Sequence, residues 1–242
     1  MRKISLIILA IFALVACDKH DPILPGVRSA IFSENKLNIL NINVPGLPDN
    51  ISNDVVPECP YTQTQSNVIS NGDNKIFSGF PAPNAVACDQ RPVCDGIYVY
   101  AGLTTGSVVK INSRTRQVVW GADVYKTSNL TGGSSVMDIV SPIILKGGYI
   151  YVAGLGDAFC KIGADAGIKK WCIDVGSAHK FIVLKNVSYI VGTNNNLYAV
   201  RNSDGAIYWS APLDKVSDPE YKDKRIIVGG RVFDAESGSV IK

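Results

Sequence analysis

Histidine is scarce in this chain of 242 residues, which contains two, and none of its six cysteines stand side by side or in a CxxC spacing. Tetrahedral zinc sites are built mainly from such cysteines and histidines. Neither His20 nor His179 has a partner at a spacing that suggests a metal site or a catalytic pair. Nothing resembles a Ser-His-Asp set or a pair of catalytic carboxylates. We therefore predict no metal site, no catalytic residue and no enzymatic activity.

The chain also has no large excess of charge of either sign. The formal net charge is +3 and no basic cluster concentrates it, which argues against a nucleic-acid partner. Long helical patterns are few, whereas 22 glycines supply many turns. The glycines at 147–148 and 154–156 lack the strand–turn–helix context of a dinucleotide-binding loop and are interpreted as hairpin glycines. These features favour an all-β fold.

The longest apolar run lies at the start of the chain, and it is short. Arg2 and Lys3 precede Ile4–Ala16, in which only Ser5 is polar. Such a run after a positive start is typical of a secretory signal peptide, since a membrane-spanning helix needs about 20 apolar residues. The ending Leu-Val-Ala-Cys resembles the lipobox of bacterial lipoproteins, which implies cleavage before Cys17 and its modification with fatty acids such as palmitate. An uncleaved anchor helix is the alternative.

Five cysteines remain after Cys17, an odd number that leaves at least one without a partner in the chain. Export favours disulfides, and zinc ligation is the competing interpretation. Cys160 and Cys172 lie at equal distances from the centre of a predicted hairpin at 165–167. They would therefore face each other across two antiparallel strands, close enough for a bridge if they form a non-hydrogen-bonded pair.

A second plausible disulfide joins Cys88 to Cys94. The two residues enclose a short loop that contains an Arg-Pro pair. This pairing leaves Cys59 as the odd thiol.

An internal repeat occupies much of the chain, and three stretches align at 97–120, 149–171 and 188–209. In each, an apolar run ends in a glycine, a second alternating run follows a turn, and a later strand carries a tryptophan. The interval from glycine to tryptophan is 18, 17 and 17 residues. The repeated positions are Gly102, Gly154, Gly192, Trp120, Trp171 and Trp209.

Each unit is predicted to be a small antiparallel meander whose tryptophan fills the space between adjacent sheets. One meander cannot bury both of its faces, so the units must stack, and radial stacking of four-stranded sheets makes a β-propeller. Residues 225–242 form the beginning of a further unit, and residues 67–83 are interpreted as a degraded earlier unit. We predict a partial propeller of about four blades at 61–242, after a signal peptide (1–16) and a proline-rich lipidated tether (17–60).

The third repeat, GTNNNLYAVRNSDGAIYW at 192–209, resembles the pyrroloquinoline-quinone-type propeller repeat. A lipoprotein with such repeats resembles the BamB family of outer-membrane assembly lipoproteins, as does the Leu-Pro-Gly-Val-Arg segment at 24–28. The resemblance implies a scaffold, lipid-anchored at the periplasmic face of the outer membrane, without enzymatic activity or cofactor. Its implied partners are a BamA-like barrel-assembly protein and unfolded outer-membrane proteins.

Several alternatives stay open at this point. Family members close a ring of eight blades, so the chain is either a shortened copy or a partial ring completed by another chain. Two further alternatives are a fragment of a quinoprotein oxidoreductase and a degraded, non-functional remnant. Asp18 would retain a lipoprotein in the inner membrane of enteric bacteria. The segments 125–133 and 214–224 are candidate docking loops, although a solvated linker explains the second better.

Overall fold

The computed structural model describes residues 37–51, 58–86, 91–126 and 136–241. All of them belong to one compact unit, Asn35–Lys242. The predicted signal peptide, Cys17, Asp18 and Cys88 lie outside the described residues. Within the described ranges, no helical stretch has the length and apolar character needed to cross a membrane.

The described residues form nineteen strands in five antiparallel sheets, which we call blades 1 to 5 in chain order. Blade 1 contains β1 (Thr62–Gln63), β2 (Val68–Asn71) and β3 (Asn74–Ser78). Blade 2 contains β4 (Val93–Asp95), β5 (Tyr98–Gly102), β6 (Ser107–Asn112) and β7 (Gln117–Asp123). Blade 3 contains β8 (Ile144–Lys146), β9 (Tyr149–Gly154), β10 (Ala158–Gly163) and β11 (Lys169–Ile173).

The last two blades also have four strands each. Blade 4 contains β12 (Ile182–Val183), β13 (Val187–Val191), β14 (Asn196–Arg201) and β15 (Ile207–Pro212). Blade 5 contains β16 (Glu220–Lys222), β17 (Arg225–Val228), β18 (Arg231–Asp234) and β19 (Val240–Ile241). In every blade the strands follow one another across the sheet in chain order, which is the meander that the repeat predicts. The fold is an all-β partial propeller.

A recurring register shift shows which strands correspond from blade to blade. The shift lies between the third and fourth strands of blades 2, 3 and 4, next to Lys110, Lys161 and Ala199. In blade 1 the same shift follows Ile69 on β2. The strands β1 to β3 therefore correspond to the second, third and fourth strands of a complete blade. The described residues thus form four complete blades, 2 to 5, and a three-stranded blade 1, where the sequence predicts about four blades in all.

The apolar core is divided into clusters that lie between consecutive blades. Ile69 of blade 1 and Ile111 of blade 2 share one cluster, and Tyr100 of blade 2 lies with Val152 of blade 3 in the next. Blades 3 and 4 share a third cluster, and blades 4 and 5 share a fourth. Each blade is therefore stabilised mainly by its neighbours in sequence.

The predicted tether, 17–60, is not a tether over residues 37–51. Ile39 forms a parallel bridge with Ile207 on the outer strand of blade 4. Val44 and Leu47 are 1% and 8% exposed and belong to the cluster between blades 4 and 5. Prolines do exclude a long strand here, as expected. Apolar residues between them nevertheless hold the segment against the blades, because burying each such side chain is worth about 1.5–3 kcal/mol.

Candidate functional site

The repeated tryptophans lie at the interfaces between blades. Each stacks on the turn glycine of the following blade: a Cβ atom added at Gly167 would lie 2.7 Å from the ring of Trp120. The corresponding distance is 3.0 Å from Gly205 to Trp171. Trp209 lies against Gly238 of blade 5 in the same way. This is the blade-packing position that the repeat predicts, and it explains why each turn has a glycine.

At two of these interfaces, one backbone carbonyl of the following blade accepts hydrogen bonds from both a tryptophan and a lysine. The carbonyl oxygen of Ala164 accepts hydrogen bonds from Trp120 Nε1 at 3.1 Å and from Lys110 Nζ at 3.0 Å. At the next interface, Asn202 O accepts from Trp171 Nε1 at 3.1 Å and from Lys161 Nζ at 2.8 Å. The lysines were not anticipated, since a charged residue in a strand pattern normally indicates a solvent-facing side.

The interface between blades 4 and 5 departs from this arrangement. Ala199 stands where blades 2 and 3 have lysine. The hydroxyl of Tyr189 donates to Ala235 O at 2.8 Å. Trp209 Nε1 is buried and has no hydrogen-bond partner among the described residues. The polar pattern therefore distinguishes blades 2 and 3, where a lysine is present, from blade 4.

The three glycines singled out by the repeat, Gly102, Gly154 and Gly192, end the second strands or follow them directly. Gly154 and Gly192 allow close approach of other groups. A Cβ atom at Gly154 would lie 3.1 Å from the carbonyl oxygen of Asp138, and one at Gly192 would lie 3.0 Å from the ring of Tyr198. These glycines are thus needed for packing near the turns.

The disulfides agree with one predicted pair and correct the other. Cys160 and Cys172 lie opposite each other on β10 and β11 and are bridged, with Cα atoms 4.1 Å apart. The second bridge joins Cys94 to Cys59, so the predicted partner Cys88 and the predicted odd thiol Cys59 are wrong. Cys94 lies on the first strand of blade 2, where Cys59, just before β1, reaches it from blade 1. Cys88 is nearer to Cys94 in sequence, but a disulfide requires that the two Cα atoms lie close in space. The stacking of blades 1 and 2 brings the Cα atom of Cys59 to 5.0 Å from that of Cys94.

The two segments proposed as docking loops have different outcomes. Most of 125–133 lies outside the described residues. The segment 214–224 is not a plain loop, since it contains strand β16 of blade 5. Within it, Asp218 accepts hydrogen bonds from His179 Nδ1 at 3.3 Å and from the Lys180 backbone at 3.1 Å. Burial alone would raise the pKa of Asp218, but these hydrogen bonds, together with the charge and side chain of Lys180, outweigh burial and lower it. His179, for which the sequence suggests no metal-site or catalytic partner, is therefore part of a small polar cluster.

A cavity of about 450 Å³ opens between blades 2 and 3. Its lining includes Tyr98, Tyr100, Lys110, Ile143 and Leu145, with the carboxylates of Asp95 and Asp165 at exposed positions. Burial, and secondarily these two carboxylates, raise the pKa of Tyr100 to about 12. Its hydroxyl is therefore protonated and lies 3.4 Å from Ala164 O. In the described part of the chain, no cluster of three or more His, Cys, Asp or Glu side chains is placed to hold a metal ion.

Comparison with known protein families shows the family to which this chain belongs. The family described as outer membrane protein assembly factor BamB matches residues 79–211, more than half of the chain. The chain belongs to the BamB family. The matched range begins at the end of blade 1 and runs through blade 4. This range contains all three repeats identified from the sequence.

Individual relatives are distant. Outer membrane protein assembly factor BamB of Yersinia pestis is 25% identical over 126 residues, which cover 51% of this chain and 32% of the relative. The chain thus spans about a third of the length of that curated relative. The crystal structure of BamB from Moraxella catarrhalis superposes with a TM-score of 0.63 at 17% identity, over 75% of this chain and 59% of that one.

A quinohemoprotein alcohol dehydrogenase from Pseudomonas putida also superposes, with a TM-score of 0.52. It is 14% identical, and the match covers 75% of this chain and 40% of the enzyme. At these identities, the structural matches show a shared propeller fold alone.

Proposed function

We propose that this chain is a membrane-anchored scaffold lipoprotein that assists the assembly and insertion of β-barrel proteins into the outer membrane. Membership of the BamB family is the observation that carries the proposal. The scaffold is anchored through lipidated Cys17 at the periplasmic face and acts by binding rather than by catalysis. Its proposed partners are a BamA-like barrel-assembly protein and unfolded outer-membrane proteins.

The outer strands of the blades offer a physical means of binding extended chains. Strand β15 of blade 4 already pairs with an extended segment of the same molecule. Leu40 N donates to Ile207 O at 2.8 Å, and Ile42 N donates to Tyr208 O at 3.1 Å. An outer edge of this propeller can thus accept an extended segment through backbone hydrogen bonds, the mode known as β-augmentation.

Strand β7 of blade 2 is the corresponding outer strand, and the described residues place no further strand beside it. Val118 and Val119 on β7 are 47% and 48% exposed. An outer strand with exposed apolar side chains is a ready site for pairing with another chain. We propose that β7 binds extended segments of unfolded barrel proteins or of the assembly machinery.

A pull-down of the tagged full chain from its native envelope in detergent tests the proposed function. We expect a BamA-like protein and its companions among the proteins recovered, as identified by mass spectrometry. Depletion of the chain should also lower the levels of outer-membrane barrel proteins. If the folded protein recovers no barrel-assembly component and its depletion leaves barrel levels unchanged, the proposed function is wrong.

Two variants locate the binding edge in the same experiment. The V119K variant places a charge on the exposed edge strand and should reduce recovery of strand-donating partners at least fivefold. The V86K variant is the matched control, because Val86 has a similar exposure of 41% but lies outside the strands. Equal losses in both variants would mean that β7 is not the binding edge.

A further inference from the structure

The cavity between blades 2 and 3 exists because blade 3 has small residues where blade 4 has larger ones. Ala164 and Asn202 occupy the same place in their blades, each following the third strand. Their backbone N–H groups donate to the turn carbonyls of Gly148 at 3.0 Å and Asn186 at 2.9 Å. The two interfaces can therefore be compared residue by residue.

Asn202 occupies the space that Ala164 leaves empty. Its Nδ2 donates to Leu184 O at 3.0 Å, and its Oδ1 accepts from Ser188 Oγ at 2.6 Å. Alanine has no side chain beyond Cβ to make such contacts. In addition, Gly147 and Gly148 of blade 3 replace Lys185 and Asn186 in the turn. The open space thus distinguishes the interface between blades 2 and 3 from the interface between blades 3 and 4.

A buried ammonium group faces this space. Lys110 is 4% exposed and lines the cavity. Its Nζ donates to Ala164 O at 3.0 Å and lies 4.1 Å from the centre of the Tyr98 ring. An ammonium has three donors, and no carboxylate of the described residues forms an ion pair with this one. A buried ammonium that has no direct carboxylate contact is costly, so an anionic ligand that reaches Lys110 Nζ would be favoured here.

The other walls restrict the kind of anion. Ile143, Leu145 and the tyrosine rings provide apolar surface, which suits a hydrocarbon or aromatic body. Asp95 and Asp165 lie at exposed positions around the cavity, and Lys146 also lines it, so two carboxylates and two ammonium groups surround the space. Solvent weakens repulsion by the carboxylates but does not remove it. The single buried ammonium of Lys110 therefore matches the charge of one carboxylate better than that of a multiply charged anion such as phosphate.

We propose that this cavity binds a single carboxylate attached to an apolar, ring-sized body, with Lys110 Nζ donating to the carboxylate. The body lies against Ile143 and Leu145. Two sources share this chemistry: a free aromatic or aliphatic acid, and the C-terminal residue of a polypeptide. The site goes beyond the proposed function and does not depend on it.

Isothermal titration of the full chain in detergent tests the site with four probes. Two are 3-phenylpropionate and its neutral analogue 3-phenylpropanamide. The others are the peptide Gly-Gly-Gly-Gly-Phe with a free and with an amidated C-terminus. We expect each carboxylate that binds to do so at least tenfold more tightly than its amide. Binding of the free acid alone indicates a small-molecule ligand, and binding of the free peptide alone indicates a chain terminus.

Two lysine variants show whether the preference comes from this cavity. The K110M variant keeps the length of the side chain, and it should lose the tenfold preference for carboxylate. The K161M variant is the matched control, because Lys161 makes the same contacts with Tyr149 and Asn202 at the next interface. It should bind the probes as the unmodified chain does. Thermal unfolding verifies that both variants are folded.

The A164N variant closes the site in a second way, by introducing the side chain found in blade 4. It should weaken binding of the carboxylates at least tenfold while Lys110 is retained. The proposal is overturned if the unmodified chain binds none of the probes at millimolar concentration or binds acids and amides equally. It is also overturned if the preference survives in the K110M variant.

Discussion

Gly167 shows how single residues hold one blade to the next. It has a φ of +69°, which glycine adopts without strain, and the Trp120 ring lies directly against it. The tryptophan is fixed in turn by its hydrogen bond to Ala164 O, three residues before the glycine. A glycine and a tryptophan about 50 residues apart thus form one contact, and the repeat multiplies it along the chain.

Replacing Gly167 by alanine should be more damaging than replacing another glycine of similar conformation. Gly230 has a φ of +79°, and a Cβ atom there would meet nothing within 4 Å. The G230A variant should lose about 1–2 kcal/mol for the left-handed backbone alone. The G167A variant should lose about 1–3 kcal/mol more, because its methyl group overlaps the indole. Urea unfolding measures both; equal losses would show that the ring contact does not constrain the glycine.

At the scale of strands and turns, the repeat predicted much of the fold because its signal is local. Alternating runs, turn glycines and a tryptophan at fixed intervals determine a meander, and the meanders appear where predicted. The meeting of residues from two blades at the cavity was not predicted. Lys110 and Ala164 belong to different blades, and only the stacking of blades brings them together.

The segment 37–51 and the Cys59–Cys94 bridge were missed for a related reason. Prolines made the segment look like a tether, although its apolar residues pack between blades that begin more than 100 residues later. The bridge joins cysteines 35 positions apart, whereas Cys88 was nearer in sequence. Contacts of this range depend on the arrangement of whole elements, which the local pattern does not specify.

The two disulfides should protect different elements. Cys59–Cys94 links the segment before β1 to blade 2, whereas Cys160–Cys172 joins two strands within blade 3. The C59A/C94A variant should therefore increase amide hydrogen exchange in β2 and β3, with blade 4 unchanged. The C160A/C172A variant is the matched control and should leave exchange in β2 and β3 unchanged. Each bridge is worth about 3–4 kcal/mol by loop-closure entropy. Uniform acceleration in either variant would contradict this local protection.

For the whole molecule, each blade contacts its neighbours in chain order, and one segment adds a contact of long range. Val44 N donates to Glu236 O at 2.9 Å, and the hydroxyl of Tyr221 donates to Pro48 O. The segment 37–51 thus connects blades 4 and 5. In a linear array, stability is a sum of neighbouring interfaces, so an added connection should raise the cooperativity of the blades it joins.

Removing one anchor of this segment should therefore release blade 5 before the rest of the molecule unfolds. Val44 is 1% exposed, and the V44A variant should cost about 2 kcal/mol, as expected for a truncated core residue. The V216A variant truncates a valine that is 42% exposed and should cost under about 0.5 kcal/mol. In limited proteolysis followed by mass spectrometry, the first cuts in V44A should fall within 214–241, while blades 2 and 3 stay intact. Cuts that appear simultaneously in all blades would mean that the stack unfolds as one unit and that the segment does not couple blades 4 and 5 selectively.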